Sequence, residues 1–266
     1  MSAAQTRRQQ RAISAFGRKF IHGQAKTVSL KNASNARDRK RSATWQRIWE
    51  SKYRAAEGPI HKLDGFDLLT AAEWKLLVGR FCKIMAPVAG RDILEVGCGA
   101  GAFLGNIRRA KSLSGIDYSS GAVMLARKNL PGKFVCSEAA AIPFPAKSFD
   151  IVFSFGVFFY FDSTNYAERV LREMVRVARP GGRIFVFDIN DARKKRLYNR
   201  VRSAERREAV KTTAQKTSHL FYTKKFFRDV AKKLNLKLQI VDEADLDVAF
   251  HSGAQYRFLV EYAVPE

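Results

Sequence analysis

Glu95 stands two residues ahead of a glycine-rich turn in Ile93-Leu94-Glu95-Val96-Gly97-Cys98-Gly99-Ala100-Gly101. A short apolar strand, Ile93–Val96, runs into that turn, and a helix is predicted at Phe103–Ala110. Glycines let a ligand approach the backbone closely, and the first N–H groups of a helix are free to bind it. Dinucleotide-binding proteins use a related turn of the form G-x-G-x-x-G. Here the pattern is G-C-G-A-G, and a carboxylate sits inside the strand. A pyrophosphate would be repelled by Glu95, whereas a cationic, amine-bearing ligand would be attracted.

Other residues could face a reacting partner. His61 lies in Pro59-Ile60-His61, ahead of an apolar helix, and His219 precedes Leu220-Phe221-Tyr222. Asp188-Ile189-Asn190-Asp191 ends a predicted strand at the carboxyl edge, where open α/β sheets bind ligands. His61, Asp191, His219 and Tyr222, with Tyr53 and Tyr160, are the substrate-side candidates. Cys82, Cys98 and Cys136 have neither metal-ligand nor redox spacing. They are expected to be buried small side chains in a reducing compartment, and no metal centre is expected.

These residues need a scaffold, and the hydrophobic pattern supplies one. Residues 45–86 read as helices: Trp45, Ile48, Trp49 and Tyr53 share one face, Gly58-Pro59 breaks the chain, and Leu68, Leu69, Trp74, Leu77, Val78 and Phe81 form a second apolar stripe. From Asp92 strands and helices alternate. Strands are predicted at Ile93–Val96, Leu113–Ile116, Phe134–Cys136, Ile151–Phe155, Ile184–Phe187, Leu236–Val241 and Tyr256–Val264. Helices are predicted at Ala122–Asn129, Tyr166–Ala178 and Thr223–Leu234, with Pro180-Gly181-Gly182 as a stop. The alternation implies an α/β fold: a doubly wound, mostly parallel seven-stranded sheet with N-terminal helices. Three regions follow: a basic extension at 1–44, N-terminal helices at 45–90, and the α/β domain at 91–266. A long irregular insertion at 190–222 lies inside that domain.

The chain has 266 residues, 46% of them hydrophobic, enough for a real core. The longest run of apolar and small residues, Ile151–Phe161, has 11 residues, and a bilayer span needs about 20, so no transmembrane segment is expected. The net charge of +23 is unevenly placed. Residues 1–62 carry 15 basic and 3 acidic groups, and residues 191–237 carry 16 and 4; the stretch between them is nearly balanced, with 16 and 12. Two basic blocks suit a polyanion or an acidic membrane surface, or else form solvated faces. Residues 1–37 contain no acid, and Ile13, Phe16 and Phe20 recur at helical spacing among arginines. That composition fits a mitochondrial or plastid transit peptide, a basic tail or an RNA-binding arm. The protein is expected to be intracellular and soluble, mitochondrial if the segment is a targeting signal and otherwise cytoplasmic.

Glu95-Val96-Gly97-Cys98-Gly99-Ala100-Gly101 resembles motif I of the class I S-adenosylmethionine-dependent methyltransferases, in particular type 11. The other motifs follow in family order. Gly115-Ile116-Asp117 resembles the acidic end of the second strand. Ser137-Glu138-Ala139, Ile142-Pro143-Phe144 and Ser148-Phe149-Asp150 resemble the adenine loop and the entry to the fourth strand. Arg176 through Gly182 resembles the approach to the fifth. The resemblance is close over about residues 91–190. It implies a Rossmann-like fold and S-adenosyl-L-methionine as cofactor. It places the methionine end at Glu95 and the backbone of Gly97, Cys98, Gly99 and Gly101. Asp117 would bind both ribose hydroxyls, since a carboxylate accepts two hydrogen bonds side by side. Tyr118 would lie against the adenine, Glu138 would accept from its amino group, and the Ala139 N–H would face a ring nitrogen. Glu138 stands where the family often has Asp. Ser154 and Phe155 would border the sulfonium.

The acceptor is less legible. The aromatic-polar signatures for adenine or cytosine amino groups are absent after the fourth strand, where Ser154 through Phe161 stands instead, and no pyrimidine-C5 cysteine motif is present. Methyl transfer rests largely on positioning and exclusion of water, so a general base is optional. Three roles compete. The insertion and Tyr256-Arg257-Phe258 resemble enzymes acting on a small molecule or glycan. The basic segments 1–62 and 191–237 suit RNA, including a ribosomal particle. A binding or assembly protein that keeps the fold without turnover is the third. The sequence sets no oligomeric state.

Overall fold

Residues 36–55, 57–208, 218–246 and 252–266 are described in a computed structural model of the chain. The acid-free segment, all but its last two residues, and residues 209–217 of the basic insertion lie outside the described residues. The N-terminal part holds α1 (Ala36–Ala55), the single turn α2 (Ile60–Leu63) and α3 (Ala71–Met85). Thr70 and Glu73 form a reciprocal capping box that starts α3. Helix α1 runs across the boundary placed at residue 44, so the extension and the helices are continuous there.

The α/β part runs β1 (Asp92–Val96), β2 (Ser112–Asp117), α4 (Ser120–Asn129), β3 (Lys133–Cys136), β4 (Phe149–Phe155), α5 (Thr164–Val177), β5 (Ala178–Asn190), α6 (Lys195–Glu208), α7 (Lys224–Lys233), β6 (Lys237–Asp242) and β7 (Arg257–Ala263). The sheet order is β3-β2-β1-β4-β5-β7-β6. Strands β1 to β5 pair in parallel, while β7 is antiparallel to both β5 and β6. Alternate side chains go to opposite faces. Ile184 and Val186 of β5 pack under α5 and α7, and Phe185 and Phe187 pack on the other face with Leu77, Phe81 and Val123 of α3 and α4. Ser119, Ser163 and Thr223 cap α4, α5 and α7 by accepting from the N–H three residues on. The order reverses between β1 and β4, which opens a crevice at their carboxyl ends.

Three expectations need correction. No α-helix forms at Phe103–Ala110. A single 3-10 turn, Leu104–Asn106, is all that forms, and Ile107 is already extended. Gly105 favours helix poorly, and Asn106 Nδ2 donates to the Ala102 carbonyl at 2.8 Å. Pro180-Gly181-Gly182 does not separate α5 from β5. Phe149 pairs with Ala178 and Ile151 with Arg183, so the tripeptide lies in a bulge within a long strand. The basic insertion is not irregular throughout: it contains α6. Lys194, just before it, pairs with Asp242 at 3.2 Å, a partner remote in sequence.

Candidate active site

A cleft of about 1050 Å³, mouth included, opens at the carboxyl ends of β1, β2 and β4 and is roofed by α1. At its floor Glu95 is 3% exposed. The Leu104 N–H donates to its carboxyl group, but Oε2 is buried with no partner among the described residues. Burial first, then Asp64 and Asp117 nearby, push Glu95 well above the usual carboxylate range. Gly97 turns the chain at φ +80°, and a Cβ there would sit 2.4 Å from Val157 Cγ2. Asp117 Oδ2 accepts from Gly99 N at 3.0 Å and Oδ1 from Ser119 N at 2.9 Å. Burial raises Asp117 to about 6, against the pull of these N–H groups.

The rest of the predicted cofactor set divides. Cys98, Gly99, Tyr118, Glu138, Ala139 and Phe155 line the cleft with Glu95, Gly97 and Asp117. The Tyr118 hydroxyl is buried without a hydrogen-bond partner among the described residues, and Glu138 Oε2 accepts from Tyr166 Oη at 2.7 Å. Ser154 does not border the cleft: it is fully buried, and its Oγ donates to the Val96 carbonyl at 2.8 Å, tying β4 to β1. Gly101 lies outside it too, because its α-carbon packs on Leu130. Cys136 is exposed and Cys82 half-buried, so of the three cysteines Cys98 alone is buried as expected.

All four catalytic candidates have structural duties. His61 Nε2 lies 3.0 Å from the Leu69 carbonyl, and its ring stacks on Trp74. Asp191 Oδ1 accepts from Arg193 N and caps the turn before α6. Tyr222 is fully buried and donates to the Phe158 carbonyl at 2.7 Å. His219 Nδ1 is 2.9 Å from Tyr198 Oη, and its ring packs on Trp45, Phe159 and Tyr160. It stands behind the cleft wall rather than in it. Tyr53 and Tyr160 do line the cleft.

The structure adds residues that motif reading missed. Asp64 Oδ1 accepts from Ala100 N at 2.8 Å and from Tyr53 Oη at 2.9 Å, and Oδ2 accepts from Ala102 N at 2.9 Å. Burial raises it to about 7. Its one signal in the sequence is an acid followed by glycine between two predicted helices. Glu50 on α1 accepts from Ser119 Oγ at 2.6 Å and Ser120 Oγ at 3.1 Å, fastening α1 to the start of α4. Trp45, Trp49, Phe66 and Trp74 line the cleft, although such a stripe reads as packing surface. Behind the wall, Arg257 Nη1 donates to Asp188, which adopts φ +64° at a bulge between β5 and β7. The Asp188 N–H donates to buried Glu243 at 2.7 Å. Among the described residues no group of His, Cys, Asp and Glu could hold a metal ion, and no helix is long and apolar enough to cross a membrane.

Residues 94–186 match the family described as methyltransferase domain. The phthiotriol/phenolphthiotriol dimycocerosates methyltransferase of Mycobacterium leprae is 34% identical over 113 residues, 40% of this chain and 41% of that protein. The tRNA (carboxymethyluridine(34)-5-O)-methyltransferase alkbh8 of Xenopus tropicalis is 32% identical over 98 residues, 37% of this chain and 15% of that one. The chain thus spans less than half the length of these two relatives. The structure of magnesium protoporphyrin IX methyltransferase from Synechocystis PCC 6803, solved with bound S-adenosylmethionine, superposes with a TM-score of 0.56 at 13% identity. It covers 88% of this chain and 99% of that one, a likeness of fold. Residues 94–186 thus form a methyltransferase domain, and its ordered motifs and sheet order are those of the class I, S-adenosylmethionine-dependent methyltransferases.

Proposed function

We propose that the cleft binds S-adenosylmethionine and that the chain transfers its methyl group to a small-molecule or glycan acceptor. The observation that carries this reading is Glu95 Oε2, a buried oxygen without a partner among the described residues, at the floor of the cleft beside the Gly97 turn. A buried carboxylate is costly unless a cation meets it, and the cofactor's amino group is such a cation. When bound, the cofactor supplies an electrophilic methyl group on a sulfonium. Asp117, already oriented by two N–H groups, has lone pairs left for a vicinal diol. Tyr118 offers a flat face, and Tyr166 orients Glu138 for an exocyclic amine. Phe155, Phe66 and Trp74 pack together along the cleft and exclude water from it, which suits a reaction governed by positioning.

Calorimetry with S-adenosylhomocysteine tests cofactor binding, with a micromolar complex at one site per chain expected. Tritiated methyl transfer into fractionated cell extract, sorted into RNA, protein and small-molecule pools, tests the acceptor. Label in the RNA pool alone would favour the second reading, RNA held through segments 1–62 and 191–237. One observation supports that reading: Arg193, Lys195, Arg196 and Arg200 are exposed at the start of α6, whose Tyr198 touches the cleft wall through His219.

A further inference from the structure

The cleft and the chain carry opposite charge. The chain is +23, yet Asp64, Glu95, Asp117, Glu138 and Asp162 line the cleft, and no Lys, Arg or His does among the described residues. Glu95, Asp117 and Glu138 stand at the ends of β1, β2 and β3, which leaves the β4–β5 end for the acceptor. There the walls are aromatic. The Tyr160 ring lies 4.6 Å from Trp45 at an interplanar angle of 68° and 5.5 Å from Trp49 at 81°. Tyr160 thus packs roughly perpendicular to both indoles in one aromatic wall of the cleft, and aromatic faces attract cations within about 6 Å. Trp49 already carries the Lys52 ammonium 5.3 Å from its ring. Trp45 Nε1, on a residue only 4% exposed, has no hydrogen-bond partner among the described residues.

We infer that the acceptor is an amine bearing a nearby oxygen, held as a cation against the aromatic wall of Trp45, Trp49 and Tyr160, with its oxygen accepting from Trp45 Nε1. This rests on reading the cleft as a methyl-transfer site. The amine reacts as its free base after its proton leaves to solvent. The nitrogen lone pair forms the new C–N bond as the methyl–sulfur bond breaks, and that electron pair stays on sulfur. The products are a more methylated ammonium and uncharged S-adenosylhomocysteine, so the positive charge passes to a group that the aromatic wall attracts. A phosphate-bearing acceptor would enter a cleft lined by acidic side chains and, among the described residues, by no Lys, Arg or His.

The test uses the full chain saturated with S-adenosylhomocysteine. It is titrated with choline, with phosphocholine, and with 3,3-dimethylbutan-1-ol, which matches the shape and hydroxyl of choline but has no charge. Choline should bind about tenfold more tightly than the alcohol, the range a desolvated cation–π contact supplies. Phosphocholine should bind more weakly than choline. Trp45→Leu and Trp49→Leu should each lower choline affinity about threefold to tenfold, while Trp45→Phe, which keeps the π face, should retain most of it. S-Adenosylhomocysteine affinity in the same variants reports that the fold persists. Equal or tighter binding of the alcohol or of phosphocholine overturns the amine assignment alone. Failure of the wild type to bind S-adenosylhomocysteine overturns the reading beneath it.

Discussion

At the β1–β2–β3 end of the cleft, the lining comes from one short stretch, 95–99, and from acids at two strand ends. At the β4–β5 end the wall is assembled from α1, the loop at Phe66, Trp74 of α3 and the turn at Tyr160. The first end is fixed by backbone geometry and buried carboxylates, which tolerate little change. The second is made of aromatic side chains on separate elements, each replaceable without moving the sheet. Cofactor binding should therefore depend sharply on a few residues at one end and hardly at all on the other.

The largest expected effect is at Gly97. Gly97→Val adds a branched side chain at φ +80° and drives it into Val157. Binding of S-adenosylhomocysteine should fall below detection by calorimetry while circular dichroism shows a folded domain. Wild-type affinity in that folded variant would break the comparison, because the cofactor would then lie elsewhere. Asp117→Ala should cost roughly 2–3 kcal/mol of the same affinity, because the charge-assisted hydrogen bonds to the ribose go with the carboxylate. Unchanged affinity would remove Asp117 from the ribose assignment.

The pH dependence sharpens the contrast further. Asp117 titrates at about 6 in the free protein, and Glu95 is raised by burial and by its acidic neighbours. A bound amine and diol hold both groups ionised, so binding releases protons. The sign follows: the Asp117 contribution is fully present above pH 6 and is lost as pH falls through 6, by about tenfold per unit. Glu95 extends the rise to higher pH. Calorimetry in two buffers of different ionisation enthalpy should reveal the released protons, and an affinity flat from pH 5 to 8 would refute the linkage.

The two ends also differ in how far the sequence reveals them. Motif I, Asp117 and Glu138 are legible as cleft residues because a strand, a turn and a polar side chain occur together within a few residues. Strand positions and most helix positions follow from local periodicity, whereas the strand order comes from the structure. Asp64 escapes because its partners, Ala100 N and Ala102 N, lie 36 and 38 residues away. Trp45 and Trp49 look like packing because helical spacing cannot distinguish a core from a cleft wall. Asp191, His219 and Tyr222 show the reverse error. Placement at a strand's carboxyl edge made Asp191 a candidate, and position between the basic insertion and the next helix made His219 and Tyr222 candidates, but capping, ring packing and a buried phenol bond occupy them. Ser154 fails for a simpler reason: strand alternation turns it toward Val96 while Phe155 takes the cleft.

The smallest effect on the cofactor should come from the basic helix. Lys194 is bridged to Asp242, which leaves Arg193, Lys195 and Arg196 exposed before and at the start of α6. None of the three lines the cleft, so charge reversal there should leave S-adenosylhomocysteine affinity within error. The consequence for a polyanion is different. Removing one phosphate-binding cation should flatten the dependence of log affinity on log salt by about 0.7 for a single strand and 0.9 for a duplex. The weakening should be similar for unrelated RNA sequences, because a phosphate carries no base information. A triple reversal that lowers the salt slope by about two units would join the basic surface to the cleft as one RNA-facing site. If the wild type shows no RNA binding at physiological salt, or the reversal changes nothing, the arginines form a solvated rim. The acceptor then enters the acidic cleft without help from the surface charge.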